Sequence, residues 1–180
     1  VESRERSIGA PKIMYLNRCV GDCTLMPAAE DDARTGESTL LSLPGPHQIS
    51  AFALGDVVWN DVVACLKEVW SPYGLTMTET RPAPTEIYSE AIIAGRGGQF
   101  DQDEAFAGFA PLDQFCRPLS YAISTTFANQ WLDYNLGNDT AVDICRVASQ
   151  EIAHTYGLDH IYQFLEGDSS CSDPMTYRFD

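Results

Sequence analysis

Positive charge is what this chain lacks most: Lys plus Arg number 11 against 26 Asp plus Glu, a net charge of -15. A field of that sign repels phosphate backbones and excludes a nucleic-acid partner. No apolar run approaches the ~18 residues that a membrane helix needs, so no membrane association is expected. The six cysteines, at 19, 23, 65, 116, 145 and 171, are not arranged in the paired C-x-x-C spacing of a structural zinc site. Internal repeats and low-complexity tracts are missing as well. The chain starts at Val1 without an initiator Met or an apolar signal stretch, as expected of a processed mature form.

What is present describes an ordinary globular protein. Of 180 residues, 44% are hydrophobic and 21% charged. A chain of this length buries roughly 70% of its unfolded surface in one domain. The even cysteine count predicts three disulfides and an oxidising compartment, hence a secreted protein. Cys19 and Cys23 can close a small loop, and the other four cysteines allow three pairings.

Residues 1–10 read as a loosely held terminus. Strands are predicted at Lys12–Asn17, Leu75–Thr80, Glu86–Ala94 and Tyr121–Phe127. Residues 19–50, rich in Pro, Gly, Ser and acidic side chains, read as a long loop pinned by cysteines. Apolar residues at 58, 59, 62, 63, 66, 69 and 70 mark a helix over Asp56–Trp70, ended by Pro72 and Gly74. Phe106–Pro111 reads as a short edge strand. Asp101, Asp103 and Glu104 lack the ordered spacing of a calcium loop and read as a solvated acidic loop. A second helix starts at Thr140, paired with Asp143 as in a capping box, and stops at Gly157. Asn138-Asp139-Thr140 matches a glycosylation acceptor, but capping explains Thr140 as well.

The second helix carries the most informative segment, Gln150-Glu151-Ile152-Ala153-His154-Thr155-Tyr156-Gly157-Leu158-Asp159-His160. Positions 150 and 154 lie on one helical face, about 40° apart, with Glu151 beside them. Gly157 permits a left-handed turn that brings His160 back toward His154. Two imidazoles, a carboxylate and a glycine turn have the makings of a zinc–water site that asks for one more ligand.

These residues resemble the metzincin family of zinc endopeptidases, whose signature is H-E-x-x-H-x-x-G-x-x-H followed by a methionine turn. Glu151, His154, Gly157 and His160 match in register, and Asp173-Pro174-Met175-Thr176-Tyr177 is similar to the methionine turn. By average residue usage, the four signature positions alone match by chance on the order of once in several thousand chains of this size. The resemblance covers most of residues 11–177. It implies an α/β metzincin-like zincin fold, namely a twisted mixed sheet with an antiparallel edge strand, a backing helix and an active-site helix. An upper subdomain would span about 11–157 and a small C-terminal one about 158–180.

The resemblance further implies zinc as cofactor, a protein or peptide substrate, and a monomer. Glu151 would be the general base, His154 and His160 metal ligands, and Met175 a hydrophobic floor beneath the metal. Tyr177 would approach the zinc or stabilise an oxyanion, with a buried structural tyrosine as the alternative. Two features depart from the family. Gln150 stands where the family has its first zinc-binding His, and an amide oxygen is a much weaker zinc ligand than imidazole. The chain also ends at Asp180, five residues after Met175, where family members usually continue into a C-terminal helix, as a fragment or a trimmed form would.

His47, in Pro44-Gly45-Pro46-His47, reads as a surface-loop histidine, the missing ligand being the other possibility. Three functional readings follow: an active secreted endopeptidase, a natural relative that keeps the cleft without activity, and a deliberately inactivated site with Gln introduced at 150. An unrelated module with a fortuitous motif is the fourth.

Overall fold

The computed structural model describes residues 10–133 and 139–160. Its principal sheet has five strands in the order β5 (Thr76–Thr78), β1 (Ile13–Asn17), β6 (Ser89–Ile93), β8 (Ile123–Thr126) and β7 (Gly108–Phe109). The first four are mutually parallel and β7 runs antiparallel at the edge. Two helices, α1 (Gly55–Trp70) and α2 (Thr140–Thr155), complete a mixed α/β architecture.

Strand alternation sorts the sheet's side chains into two cores. Met14, Leu16, Ala91 and Ile93 meet Trp59, Val62 and Leu66 of α1 and Ile144, Ala148 and Ile152 of α2. On the other face, Ile92 and Ile123 pack with Leu25, Ile49, Phe100 and Phe127. A disulfide from Cys65 to Cys145 ties α1 to α2. Of the predicted α1 stripe, Trp59, Val62, Val63, Leu66 and Trp70 are buried, whereas Val69 stays exposed. Pro72 follows in a short 3-10 turn and Gly74 closes it at φ +66°, as the sequence suggests.

Four local readings need correction. Residues 19–50 are not simply a loop: β2 (Cys23–Pro27), β3 (Glu37–Ser38) and β4 (His47–Ile49) form a second, three-stranded sheet. These strands lie in a stretch rich in Pro, Gly, Ser and acidic residues, a composition that reads as loop. The predicted Cys19–Cys23 bridge is present beside β2. At the start of α2, Asp139 occupies the cap position and makes no side-chain cap hydrogen bond, while Thr140 is the first helical residue. Asp139 has φ -97° and ψ -1° rather than the extended backbone that a capping side chain requires.

The acidic segment is not merely solvated either. Asp101 Oδ2 accepts the Ser42 and Leu43 amides at 3.0 and 2.9 Å, Asp103 accepts that of Ala105, and Glu104 accepts that of Gly98. His47 belongs to β4. Its ring nitrogens lie 3.1 Å from the carbonyl oxygens of Gln99 and Leu43, which makes it a strut between loops rather than a surface-loop histidine.

Candidate functional site

The last two turns of α2 are buried on every side, Ser149 through Thr155 without exception. A helix that ends inside the protein must satisfy its last carbonyls locally. Here Gly157 N donates to His154 O and Leu158 N donates to Ala153 O, the paired bonds of a Schellman turn. Gly157 adopts φ +85°, and a Cβ there would stand 2.4 Å from the backbone of Cys116. Only glycine fits both the turn and the crossing segment.

That turn builds the site. His154 Nδ1 lies 2.7 Å from Leu158 O and donates to it, leaving Nε2 with its lone pair. A carbonyl-held imidazole of this kind is the usual orientation of a metal-ligating histidine. The chain then returns His160 so that its ring centroid is 4.6 Å from that of His154, at 74° between planes. Gln150 Nε2 donates to His160 Nε2 at 2.6 Å. The structure therefore brings Gln150, His154 and His160 together. Burial and the neighbouring His154 hold the His160 pKa below its ordinary value, against an opposing pull from Asp159.

Glu151 lies beside this group, 8% exposed. Its side chain runs against the edge strand: a Cβ on Gly108 would be 2.7 Å from Glu151 Cγ and 2.9 Å from Oε1. Burial pushes the Glu151 carboxyl up to about 8. Met175 and Tyr177 lie outside the described residues.

A zinc ion would meet two good donors here. His154 Nε2 is available, and His160 would present its Nε2 on release of the Gln150 hydrogen bond. The Gln150 amide oxygen is the third candidate. Among the described residues there is no cluster of three His, Cys, Asp or Glu side chains suited to a metal. The donor set thus fits a site of two imidazoles and one amide, weaker than three imidazoles.

One buried carboxylate outside this segment escaped the sequence reading. Glu90, the second residue of β6, is 1% exposed. Its signal is a charged residue inside the apolar stretch Ser89-Glu90-Ala91-Ile92-Ile93. No protein family, curated protein or solved structure matches this chain.

Proposed function

We propose that this chain is a secreted, metzincin-like zinc endopeptidase that hydrolyses peptide bonds as a monomer. The observation that carries the reading is the convergence of Gln150, His154 and His160 at the Gly157 turn, with Glu151 buried alongside. Two disulfides accord with secretion, and no helix among the described residues is long and apolar enough to cross a membrane.

His154 and His160 would hold the zinc, with Gln150 as a weak third ligand. When bound, zinc supplies Lewis acidity to the scissile carbonyl and to the attacking water. Glu151 takes the proton of that water and returns it to the leaving amine. Leu158 O fixes the His154 ring and its tautomer. An extended substrate would pair its backbone with the free side of β7, near Ala105–Pro111. Met175 would floor the site and Tyr177 would stabilise an oxyanion.

A second reading rests on a specific contact. The Gln150–His160 hydrogen bond engages the ring nitrogen that a metal would need, as in a chain that keeps the cleft without the activity. Zinc content and peptidase activity of the wild type, Gln150→His and Gln150→His/Glu151→Ala decide between them. On the first reading, wild type is active, and Gln150→His tightens zinc by more than the roughly 10–100-fold typical of outer contacts. It also raises activity, which Glu151→Ala then abolishes. Activity that appears only with Gln150→His supports the second reading. If Gln150→His changes neither zinc binding nor activity, position 150 is not a ligand and the site is wrong there.

A further inference from the structure

The Cys19–Cys23 bridge differs in its surroundings from the one between the helices. Cys65 and Cys145 pack into the helix-facing core and close a span of 80 residues. Cys19 and Cys23 are 4 residues apart and border a cavity of about 540 Å³. Within this pair Cys19 is 1% exposed, whereas Cys23, the first residue of β2, is half-buried. A small thiol in the cavity therefore reaches Cys23 rather than Cys19.

Opening this bridge costs the fold little. A bridge over so short a span restricts the unfolded chain far less than one over 80 residues. The loop is also held by hydrogen bonds that do not involve sulfur. Asp22 N donates to Cys19 O at 2.9 Å, the Asp22 carboxylate accepts the Ala51 amide at 3.0 Å, and Phe52 N donates to Arg18 O at 2.9 Å. Cys23 itself pairs with Ile49 of β4. The closed ring carries left-handed backbone at two residues with side chains, Cys19 at φ +54° and Asp22 at φ +69°. Strain of that kind favours the open form.

Asn17, the last residue of β1, spans both cysteines. Its Oδ1 accepts the Cys19 amide at 2.8 Å, and its Nδ2 donates to Cys23 Sγ at 3.3 Å. The same Nδ2 donates to Glu90 Oε1 at 2.6 Å, which also accepts from an Arg81 guanidinium nitrogen at 3.2 Å. Glu90 Oε2 is buried and has no hydrogen-bond partner among the described residues, so Oε1 alone anchors the carboxyl. The anchored carboxyl fixes the plane of the Asn17 amide, and with it a donor aimed at sulfur. A disulfide sulfur is a weak acceptor that gains little from such a donor. A thiolate gains more, since hydrogen bonds to ionised groups are roughly twice as strong.

We propose that Cys19–Cys23 is a thiol–disulfide exchange site, opened and reclosed by a small-molecule thiol in the adjoining cavity. The entering thiolate attacks Cys23 Sγ, the bond between the two cysteines breaks, and Cys19 leaves as a thiolate that takes up a proton. A second thiolate attacks the small molecule's sulfur in the mixed disulfide, and Cys23 Sγ leaves with the bonding pair, stabilised by Asn17 Nδ2. Two thiols are thereby oxidised to one small disulfide, and the protein's bridge is reduced to two cysteines. The reverse sequence recloses the ring, because Asn17 keeps the two cysteines together. The site is separate from the zinc reading: Gln150, Glu151, His154 and His160 take no part in the cavity.

The test is opening of the folded full chain by graded dithiothreitol at about pH 8, where that thiol is partly ionised, followed by alkylation and mass mapping. Cys19 and Cys23 should be alkylated together at a dithiothreitol concentration at least about tenfold below that needed for Cys65 and Cys145. Circular dichroism should be retained, and oxidised dithiothreitol should reclose the ring. Asn17→Leu, which keeps the bulk of the side chain and removes both amide contacts, should slow opening by about tenfold or more. Should Asn17→Leu fail to fold, the order of opening in the wild type carries the test alone. Opening of Cys65–Cys145 first or at the same concentration, opening only with loss of the fold, or unchanged kinetics in a folded Asn17→Leu variant would overturn the proposal.

Discussion

Glu90 and Glu151 are both carboxylates drawn out of water, yet among the described residues only Glu90 has a cation beside it. Burial is the larger influence on Glu90 and pushes it up to about 7, against the lowering effects of Arg81 and Asn17. The sign of the linkage follows. A carboxyl whose folded pKa exceeds its ordinary 4.5 favours folding in its protonated form, fully below about pH 4.5. That contribution is lost as pH rises through about 7. Glu90→Gln, which cannot ionise, should therefore gain stability over wild type as pH rises from 5 to 8, by up to about 3 kcal/mol. Urea unfolding at the two pH values measures this. A difference between the two proteins that stays constant with pH would mean that Glu90 does not titrate in this range.

At the scale of elements, α2 is held from three directions. Its apolar face packs on β6 and β8, its C-terminal turn is crossed by the Cys116 segment, and Cys145 anchors it to Cys65 of α1. The two cysteines of that bridge are 80 residues apart, so it removes far more freedom from the unfolded chain than the Cys19–Cys23 bridge, whose cysteines are 4 apart. Cys65→Ala/Cys145→Ala should cost about 4 kcal/mol on chain-entropy grounds. A lower extrapolated stability together with a steeper urea transition, because the denatured chain without the cross-link exposes more surface, is the expected result. A loss below about 1 kcal/mol would place the hold on α2 in packing alone.

For the whole molecule, the covalent frame is the quantity to measure. The two described bridges leave Cys116, which is exposed and unbridged to any described residue, and Cys171. We expect these two to form the third disulfide, which would tie the chain beyond His160 to the segment that crosses Gly157. Unreduced protein should then be about 6 Da lighter than reduced protein, two hydrogens for each bridge. A difference of about 4 Da, with two titratable thiols, would leave Cys116 and Cys171 unpaired.

The amino-acid sequence by itself determined the features that rest on local periodicity and backbone chemistry. α1 and α2 were legible because their apolar faces run for about four turns. The four parallel strands were legible between turn residues, the one at Leu75–Thr80 by its alternation, and the Gly157 turn because glycine alone adopts its backbone cheaply. The spacing of Gln150, Glu151 and His154 was legible because a helix converts sequence distance into direction, and the return of His160 because of the Gly157 turn. Tertiary structure alone decided what each of these groups faces. That Gln150 donates to His160, that Glu151 lies against Gly108, and that Asp101 holds the amides of Ser42 and Leu43 depend on segments brought together across the chain. The second sheet was hidden because its strands lie among Pro, Gly, Ser and acidic residues, which read as loop. Glu90 was visible as an oddity inside an apolar strand, but its unpartnered oxygen was not. Hydrogen-bond satisfaction is a property of the neighbours packed around a group, and those neighbours, Asn17 and Arg81, come from other parts of the chain.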